Sequence, residues 1–392
     1  MKNRKNMVFE QINNNDEIAV YIHWPFCRKK CFYCDLNSHV REKITLEHYF
    51  EGLLKEISLW KKHKITSIFF GGGTPSLMKP EWIQAIISEL KKWSTFIPEI
   101  TLEVNPSSLE SYSLERFRDA GINRISFGVQ SFDDQILQFL GRTHTAQEAI
   151  QWIRKAQQLF SNMSIDLMYG IPNQSLQTLK ETLDVVLNLN LPHISLYALT
   201  LEKNTKFGQL YERAQLKMPQ DDLIADQYEL ILQKLKHYLH YEISNFAKNE
   251  SYRSKHNLTY WRYKPFIGIG PGAHSRIWID NEWYAIHNLK LPEQWLQKVQ
   301  NNTAVHDLSN LQNNIGIIEK IDQKIFKMEQ FLMNLRTHEG ISLVNNTFLQ
   351  TDKLQKLHDV GDAIYDANIS FRLTNKGFLR YNAIFRYLFD QN

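Results

Sequence analysis

Residues 18–35 read IAVYIHWPFCRKKCFYCD. The apolar run Ile18–Trp24 has the character of a strand. Just past its carboxyl end stand Cys27, Cys31 and Cys34, spaced CxxxCxxC. These are the chain's three cysteines, so none has a disulfide partner outside the group. An odd, tightly clustered set in a chain with no export signal reads as a metal site. Three thiolates can hold three irons of a [4Fe–4S] cube and leave the fourth iron open to a small molecule. Two other readings stand beside it. His23 or His39 could complete a Cys₃His zinc site. Inert buried cysteines are the other, although Arg28, Lys29 and Lys30 favour thiolates at this place.

Outward from this stretch, strands and helices alternate as far as about Leu199. The strand-like runs are AVYIHW, TSIFF, EITLEV, RISFGV, SIDLMYG and HISLYAL. Leu46, Phe50, Leu53, Leu54, Ile57 and Trp60 recur at helical spacing. Glu81–Trp93, Leu114–Ala120, Thr145–Phe160 and Leu176–Leu187 read as further helices, and Gly121 as a helix C-cap. Six βα units with short connections predict a parallel sheet with strands apolar on both faces. Polar residues fall repeatedly at strand carboxyl ends: the cysteines, then GGGTPS, Glu103 and Gln130, with Asp166 in the fifth strand. Chemistry in (βα) barrels gathers at that end, so the expected fold is α/β, a partial (βα)₆ TIM-like barrel.

The composition is that of an ordinary globular protein, 43% apolar and 22% charged. The net charge, 46 − 42 or +4, gives no reason to expect nucleic acid as a partner. No apolar run approaches the ~20 residues that span a bilayer. The polar opening MKNRKNMVFEQINNNDE lacks a signal-peptide core, and with the free thiols it predicts a cytoplasmic location.

Beyond the barrel, Asp222–Leu239 reads as an amphipathic helix. HYEISNFA, a loop containing KHNLTYW, and FIGIGPGAHSRIW follow it. The pattern changes near Ile315. One helix is expected at Ile321–Leu335, another at Phe348–Ala367, then a strand, a turn at Asn375–Gly377 and a terminal helix. Helices with a small hairpin resemble a winged-helix module. The expected organisation is 1–15 as a polar segment, 16–240 as the barrel, 241–305 as the segment carrying HNxxYW, and 306–392 as a C-terminal helical domain.

Gly71, Gly72 and Gly73 let a backbone approach a ligand closely, and Thr74 adds a hydroxyl. The turn lacks a phosphate-loop lysine and the GxGxxG spacing. Glu103, at the end of an apolar strand, wants either a ligand's amino group or ribose hydroxyls, or a cation of the protein. Gln130, Arg142 and Asp166 carry the same ambiguity; Arg142 could grip a carboxylate or pair with a neighbouring helix.

CxxxCxxC followed by GGGTPS and ExNP resembles the radical S-adenosylmethionine (SAM) superfamily. The strings YIHWPFCRKKCFYCDLNSH, RISFGVQSF, LGRTH, IDLMYGIP, HISLYALTLE, YEISNFA, HNLTYW, GIGPGAHS and LTNKGFL narrow the resemblance. They are similar to oxygen-independent coproporphyrinogen III dehydrogenases and their HemW-type heme-chaperone relatives. The resemblance implies that Cys27, Cys31 and Cys34 bind a [4Fe–4S] cluster. It implies SAM contacts from Tyr21, Tyr33, Gly71, Gly72, Gly73, Thr74, Glu103, Gln130, Arg142, Asp166 and Ala198. Dehydrogenases usually read CxxxCxxCxC, whereas Leu36 stands at that last position here, and HNxxYW is a feature of the chaperone branch. On the same resemblance His256 is the candidate heme ligand, with Tyr260 and Trp261 offering ring faces and His274 ranked behind. A buried His–Tyr–Trp anchor is the alternative for this trio. Many relatives carry a cysteine where Ser254 stands.

The expected function is therefore a heme chaperone passing heme to hemoprotein acceptors such as respiratory components, with a heme-storage donor conceivable. A homodimer and a place at the inner face of the cytoplasmic membrane, reached through partners, are compatible with it. The rival is radical oxidative decarboxylation of coproporphyrinogen III. A radical enzyme that methylates or opens heme is a third class.

Overall fold

The computed structural model describes residues 17–41, 46–60, 62–107, 112–301, 316–344, 348–367 and 369–389. The expected polar segment 1–15 and the expected boundary at 305/306 lie outside them.

All six expected strands form and pair in parallel, in chain order: β1 (Glu17–Trp24), β2 (Lys64–Gly72), β3 (Ile100–Val104), β4 (Arg124–Gln130), β5 (Asn162–Tyr169) and β6 (His193–Ala198). Helices connect them: α1 (Leu46–Leu59), α2 (Pro80–Leu90), α3 (Leu114–Asp119), α4 (Asp134–Leu140), α5 (Ala146–Leu159) and α6 (Leu176–Leu189). Local chemistry fixes several helix ends. Thr145 caps α5 through a reciprocal box with Glu148, and Gly121 takes a positive φ just after α3.

The two faces of the strands differ, which corrects the expectation that both are apolar. Ile22, Phe70, Leu102, Phe127, Ile165 and Ile194 face the helices and build the main core. Alternate positions carry Tyr21, Glu103, Ser126, Asp166 and Ser195, and these line a cavity of about 210 Å³. Period-two alternation places the two sets on opposite faces. The barrel interior is therefore polar.

The sheet does not stop at six strands. After α7 (Lys206–Glu212) and α8 (Asp221–Lys234), β7 (Leu239–Glu242) and β8 (Asn245–Ala247) extend it antiparallel beyond β6. KHNLTYW, expected as a loop, is the helix α9 (Lys255–Trp261), capped by Ser254 Oγ accepting from Asn257 N. β9 (Phe266–Ile269) then pairs parallel to the free side of β1 as a seventh parallel strand. β10 (His274–Ile279), β11 (Glu282–Asn288) and β12 (Gly316–Ile321) continue antiparallel, with α10 (Pro292–Gln300) before β12. β12 still belongs to the main sheet, and the elements past Ile321 carry a second, small sheet whose residues share the main core.

These elements include α11 (Gln323–Asn334), β13 (Ile341–Ser342), α12 (Thr351–Asp359), β14 (Ala363–Asp366) and β15 (Ser370–Leu373). The order of the small sheet is β13-β15-β14. Two expectations change here. The helix read across 348–367 ends at Asp359 and gives way to β14. The turn read at Asn375–Gly377 is the short helix α13 (Asn375–Leu379), ahead of α14 (Tyr381–Phe389). No helix among the described residues is long and apolar enough to cross a membrane.

One buried carboxylate ties α1 to the added edge. Glu56 is fully buried and accepts from Gly270 N (2.8 Å), Asn288 Nδ2 (2.7 Å) and Trp295 Nε1 (2.9 Å). Burial pushes its carboxyl up to about 7. Glu56→Ala strands three buried donors and should lower unfolding free energy by about 3–5 kcal/mol in urea titrations, at roughly 1–3 kcal/mol per orphaned group. A raised acid pKa contributes stability below the unfolded value that is lost as pH rises toward the folded one. Glu56→Gln should therefore flatten the fall in stability between pH 4.5 and 7. An unaltered slope would exclude Glu56 as a contributor.

Candidate functional site

The cysteine loop follows β1 and is held from several sides. Phe32 N donates to Leu140 O (3.2 Å), and Phe207 N donates to Phe32 O (2.9 Å). Lys30 Nζ donates to Leu36 O and Ser38 O, both at 3.4 Å. All three cysteines are partly exposed and none is in a disulfide. Burial pushes the Cys34 thiol up.

The glycine turn packs directly on this loop. Gly73 N donates to Trp24 O (2.7 Å) and Thr74 N to Phe26 O (2.9 Å). A Cβ at Gly73 would meet Phe26 O at 2.7 Å and Cys27 Sγ at 3.0 Å. Gly72 takes φ +112°, and a Cβ there would strike the His23 ring at 2.6 Å. Close approach, with a positive φ at Gly72, is what these glycines supply.

A polar chain links Cys27 to Cys31 across three strands. Thr74 Oγ1 donates to Cys27 Sγ (3.3 Å), and Asn105 Nδ2 to Thr74 Oγ1 (3.4 Å). Arg142 Nη2 donates to Asn105 Oδ1 (2.7 Å) and Gly128 O (2.6 Å), while Arg142 Nη1 reaches Cys31 Sγ (3.3 Å). Arg142 thus brings a positive charge within hydrogen-bond distance of a sulfur. Asn105 is the member sequence reasoning missed, although the ExNP string contained the signal.

Deeper in the barrel, Glu103 Oε2 accepts from Gly72 N (3.2 Å). Burial first, and then the negative charge of Asp166, push the Glu103 carboxyl up to about 8. Burial likewise raises Asp166, which accepts from Ser126 Oγ at 3.3 Å. Such a carboxylate is ionised more readily when a cation arrives. Gln130 ends β4 with φ +71°, beside a register shift in the pairing with β5. A non-glycine residue in that region is strained backbone at the site mouth. Tyr33, beside the Arg142 guanidinium, and Ala198 line a larger cleft above. Of the expected SAM residues, Tyr21, Glu103 and Asp166 line the inner cavity, and Tyr33 and Ala198 line the cleft.

The heme candidates are placed differently from one another. His256 is 1% exposed. Its Nδ1 pairs with Ser67 Oγ (2.9 Å) and its Nε2 with Tyr260 OH (2.7 Å). Its backbone N donates to Glu99 Oε1 (3.0 Å), and its ring stacks on Phe69. Burial pushes its pKa down to about 3, so it stays neutral. Both ring nitrogens are taken, and the arrangement matches the buried anchor, not an open iron ligand. Tyr260 shares that wall, whereas Trp261 is half-buried under the Arg336 guanidinium at 4.5 Å. His274 is exposed and stacks on His287 at 4.1 Å.

Three thiols on one loop, none in a disulfide, are a donor set that a cluster can use. Among the described residues no three His, Cys, Asp or Glu converge to hold one metal ion. Thiolates that each take a different iron of a cube need not converge on one point. Both histidines that could complete a zinc site have Nε2 engaged on Asn37. His23 Nε2 pairs with Asn37 O (2.8 Å), and His39 Nε2 with Asn37 Oδ1 (3.2 Å).

Residues 21–186 match the family model described as the radical SAM superfamily. Over 390 residues the chain is 32% identical to the heme chaperone HemW of Lactococcus lactis, covering 95% of this chain and 97% of that one. The chain belongs to the HemW-type family of the radical SAM superfamily. HemW of Bacillus subtilis is 37% identical over 66% of this chain and 71% of its own. Zebrafish radical S-adenosyl methionine domain-containing protein 1, mitochondrial, is 35% identical over 83% and 74%. Among solved structures, coproporphyrinogen III oxidase (HemN) from Escherichia coli superposes with TM-score 0.77 over 97% of this chain and 92% of that one. Its 21% identity makes that a likeness of fold. The HemW-type family and the HemN-like fold agree with the expected partial barrel plus C-terminal unit.

Proposed function

We propose that this protein is a heme chaperone built on a radical SAM core, binding heme and releasing it to hemoprotein acceptors. The observation that carries the proposal is the end-to-end similarity to Lactococcus HemW, which includes the C-terminal unit as well as the barrel. In this reading Cys27, Cys31 and Cys34 hold a [4Fe–4S] cluster, and its open iron takes the amino and carboxylate groups of SAM. When bound, the cluster and SAM supply one-electron chemistry. Glu103 meets a ligand cation, which the buried carboxylate at the strand end beside Asp166 supports. Arg142 keeps the cysteine loop electropositive, and the Gly71–Gly73 backbone lets the ligand lie close. Tyr21, Tyr33, Thr74, Gln130, Asp166 and Ala198 complete the SAM contacts. Heme lies outside the barrel wall that buries His256.

The rival activity, oxidative decarboxylation of coproporphyrinogen III, has the HemN-like fold in its favour and Leu36 against it. An anaerobic heme titration followed at the Soret band separates them. Saturable binding of about one heme per chain is expected for a chaperone. Absence of saturable binding, together with catalytic formation of vinyl-bearing porphyrinogen, would replace the proposal by the dehydrogenase.

A further inference from the structure

A cleft of about 800 Å³ opens between the barrel mouth and the C-terminal helices, within the ~300–1,000 Å³ usual for small-molecule sites. Its barrel wall carries Tyr33, Tyr197 and Ala198, and its other wall runs from Phe378 to Arg386. Arginines crowd the second wall. Arg380 is engaged by Asp362 (3.2 Å). Arg386 makes no ion pair among the described residues, and Arg336 is held in a sandwich. The Arg336 guanidinium lies over Trp261 at 4.5 Å and Tyr381 at 5.3 Å, and its buried Nε has no hydrogen-bond partner. Glu242 supplies a nearby negative charge, but burial pushes that carboxyl up to about 7. Asp35 and Glu202, the acids lining the cleft, join Tyr33, Tyr197 and Ala198 on its barrel side. Arg336 also bonds Tyr381, yet its guanidinium lines the cleft as a cation that an incoming anion would meet.

We propose that this cleft is the heme site, with the two propionates on Arg336 and Arg386 and the macrocycle against the tyrosines of the barrel mouth. This rests on the heme-chaperone reading and adds where heme sits and what recognises it. A flat aromatic dianion matches the cleft in three respects: ring faces on one wall, two available guanidinium groups on the other, and a slot between them. Tyr33 belongs to the cysteine loop, so heme here would be in contact with the segment that holds the cluster. HNxxYW then serves the site through its last residue, because Trp261 is the platform under Arg336.

The test is heme affinity by anaerobic Soret titration of full-length protein, wild type against Arg336→Gln, Arg386→Gln and the double variant. Heme dimethyl ester, whose propionates are neutral, is titrated in parallel. Charge-assisted contacts predict about 10-fold weaker heme binding for each single variant and about 100-fold for the double. Wild type should bind the diester as weakly as the double variant binds heme, and the double variant should not distinguish the two ligands. Equal wild-type affinity for heme and diester, with heme bound, would overturn the site and leave the chaperone reading standing. No heme binding by wild type would overturn both. Should the double variant fail to fold, the wild-type comparison of the two ligands still decides.

Discussion

Cys31→Ala is expected to abolish the visible iron–sulfur absorbance of anaerobically reconstituted protein and to cut bound iron and sulfide at least tenfold. The chain has no fourth cysteine to take over. A cube held by three thiolates already has one iron without a protein sulfur, and removing Cys31 leaves a second iron bare. Cys31 is also the sulfur that Arg142 touches. Its loss strands a half-buried guanidinium, although Asn105 and Gly128 still anchor it, so the fold should survive. Circular dichroism checks that point independently. Full iron and sulfide content in the variant would show that the ligands had been misassigned. Ser38 lies 3.9 Å from Cys34 Sγ and would be the nearby oxygen donor to examine next.

The barrel was legible because its signals are local. Strand runs such as RISFGV and SIDLMYG, separated by helical spacing, state a parallel sheet without reference to distant residues. The cysteine loop and GGGTP were legible for the same reason. FIGI was harder to place. Nothing within four residues says that it will lie beside β1, some 250 positions earlier, as β9 does. KHNLTYW contains Asn, Thr and aromatics of modest helix propensity, so a loop was a fair expectation. The Ser254 cap and packing against β2 make it a helix. Glu103 and Asp166 stand out singly in the sequence, but the polar inner face they share with Tyr21 and Ser126 depends on strands being brought side by side. Arg336 and Arg386 carried no motif at all. They share a cleft only once residues 50 positions apart are brought together by the fold.

His256→Ala should separate a buried anchor from an iron ligand. The change removes a ring packed on Phe69 and leaves Ser67 Oγ and Tyr260 OH without their partner. A cavity plus two orphaned hydroxyls predicts a loss of about 3–5 kcal/mol in unfolding free energy. The same ring lies in the wall that also carries Tyr21 and Glu103, so SAM affinity should fall with it. Heme affinity should change less than in the Arg336→Gln, Arg386→Gln double variant. The pH dependence has a defined sign. A histidine whose folded pKa is depressed contributes stability above its unfolded value near 6.5, lost as pH falls toward the folded value near 3. The alanine variant should therefore lose less stability than wild type on acidification through that window. His256→Gln, able to reach one of the two hydroxyls, should recover part of both stability and SAM affinity. The opposite pattern, heme binding abolished with stability and SAM affinity intact, would mean that α9 opens and offers Nε2 to iron. That opening would have to break the bonds to Ser67, Tyr260 and Glu99 together, and amide exchange in α9 on heme addition would reveal it.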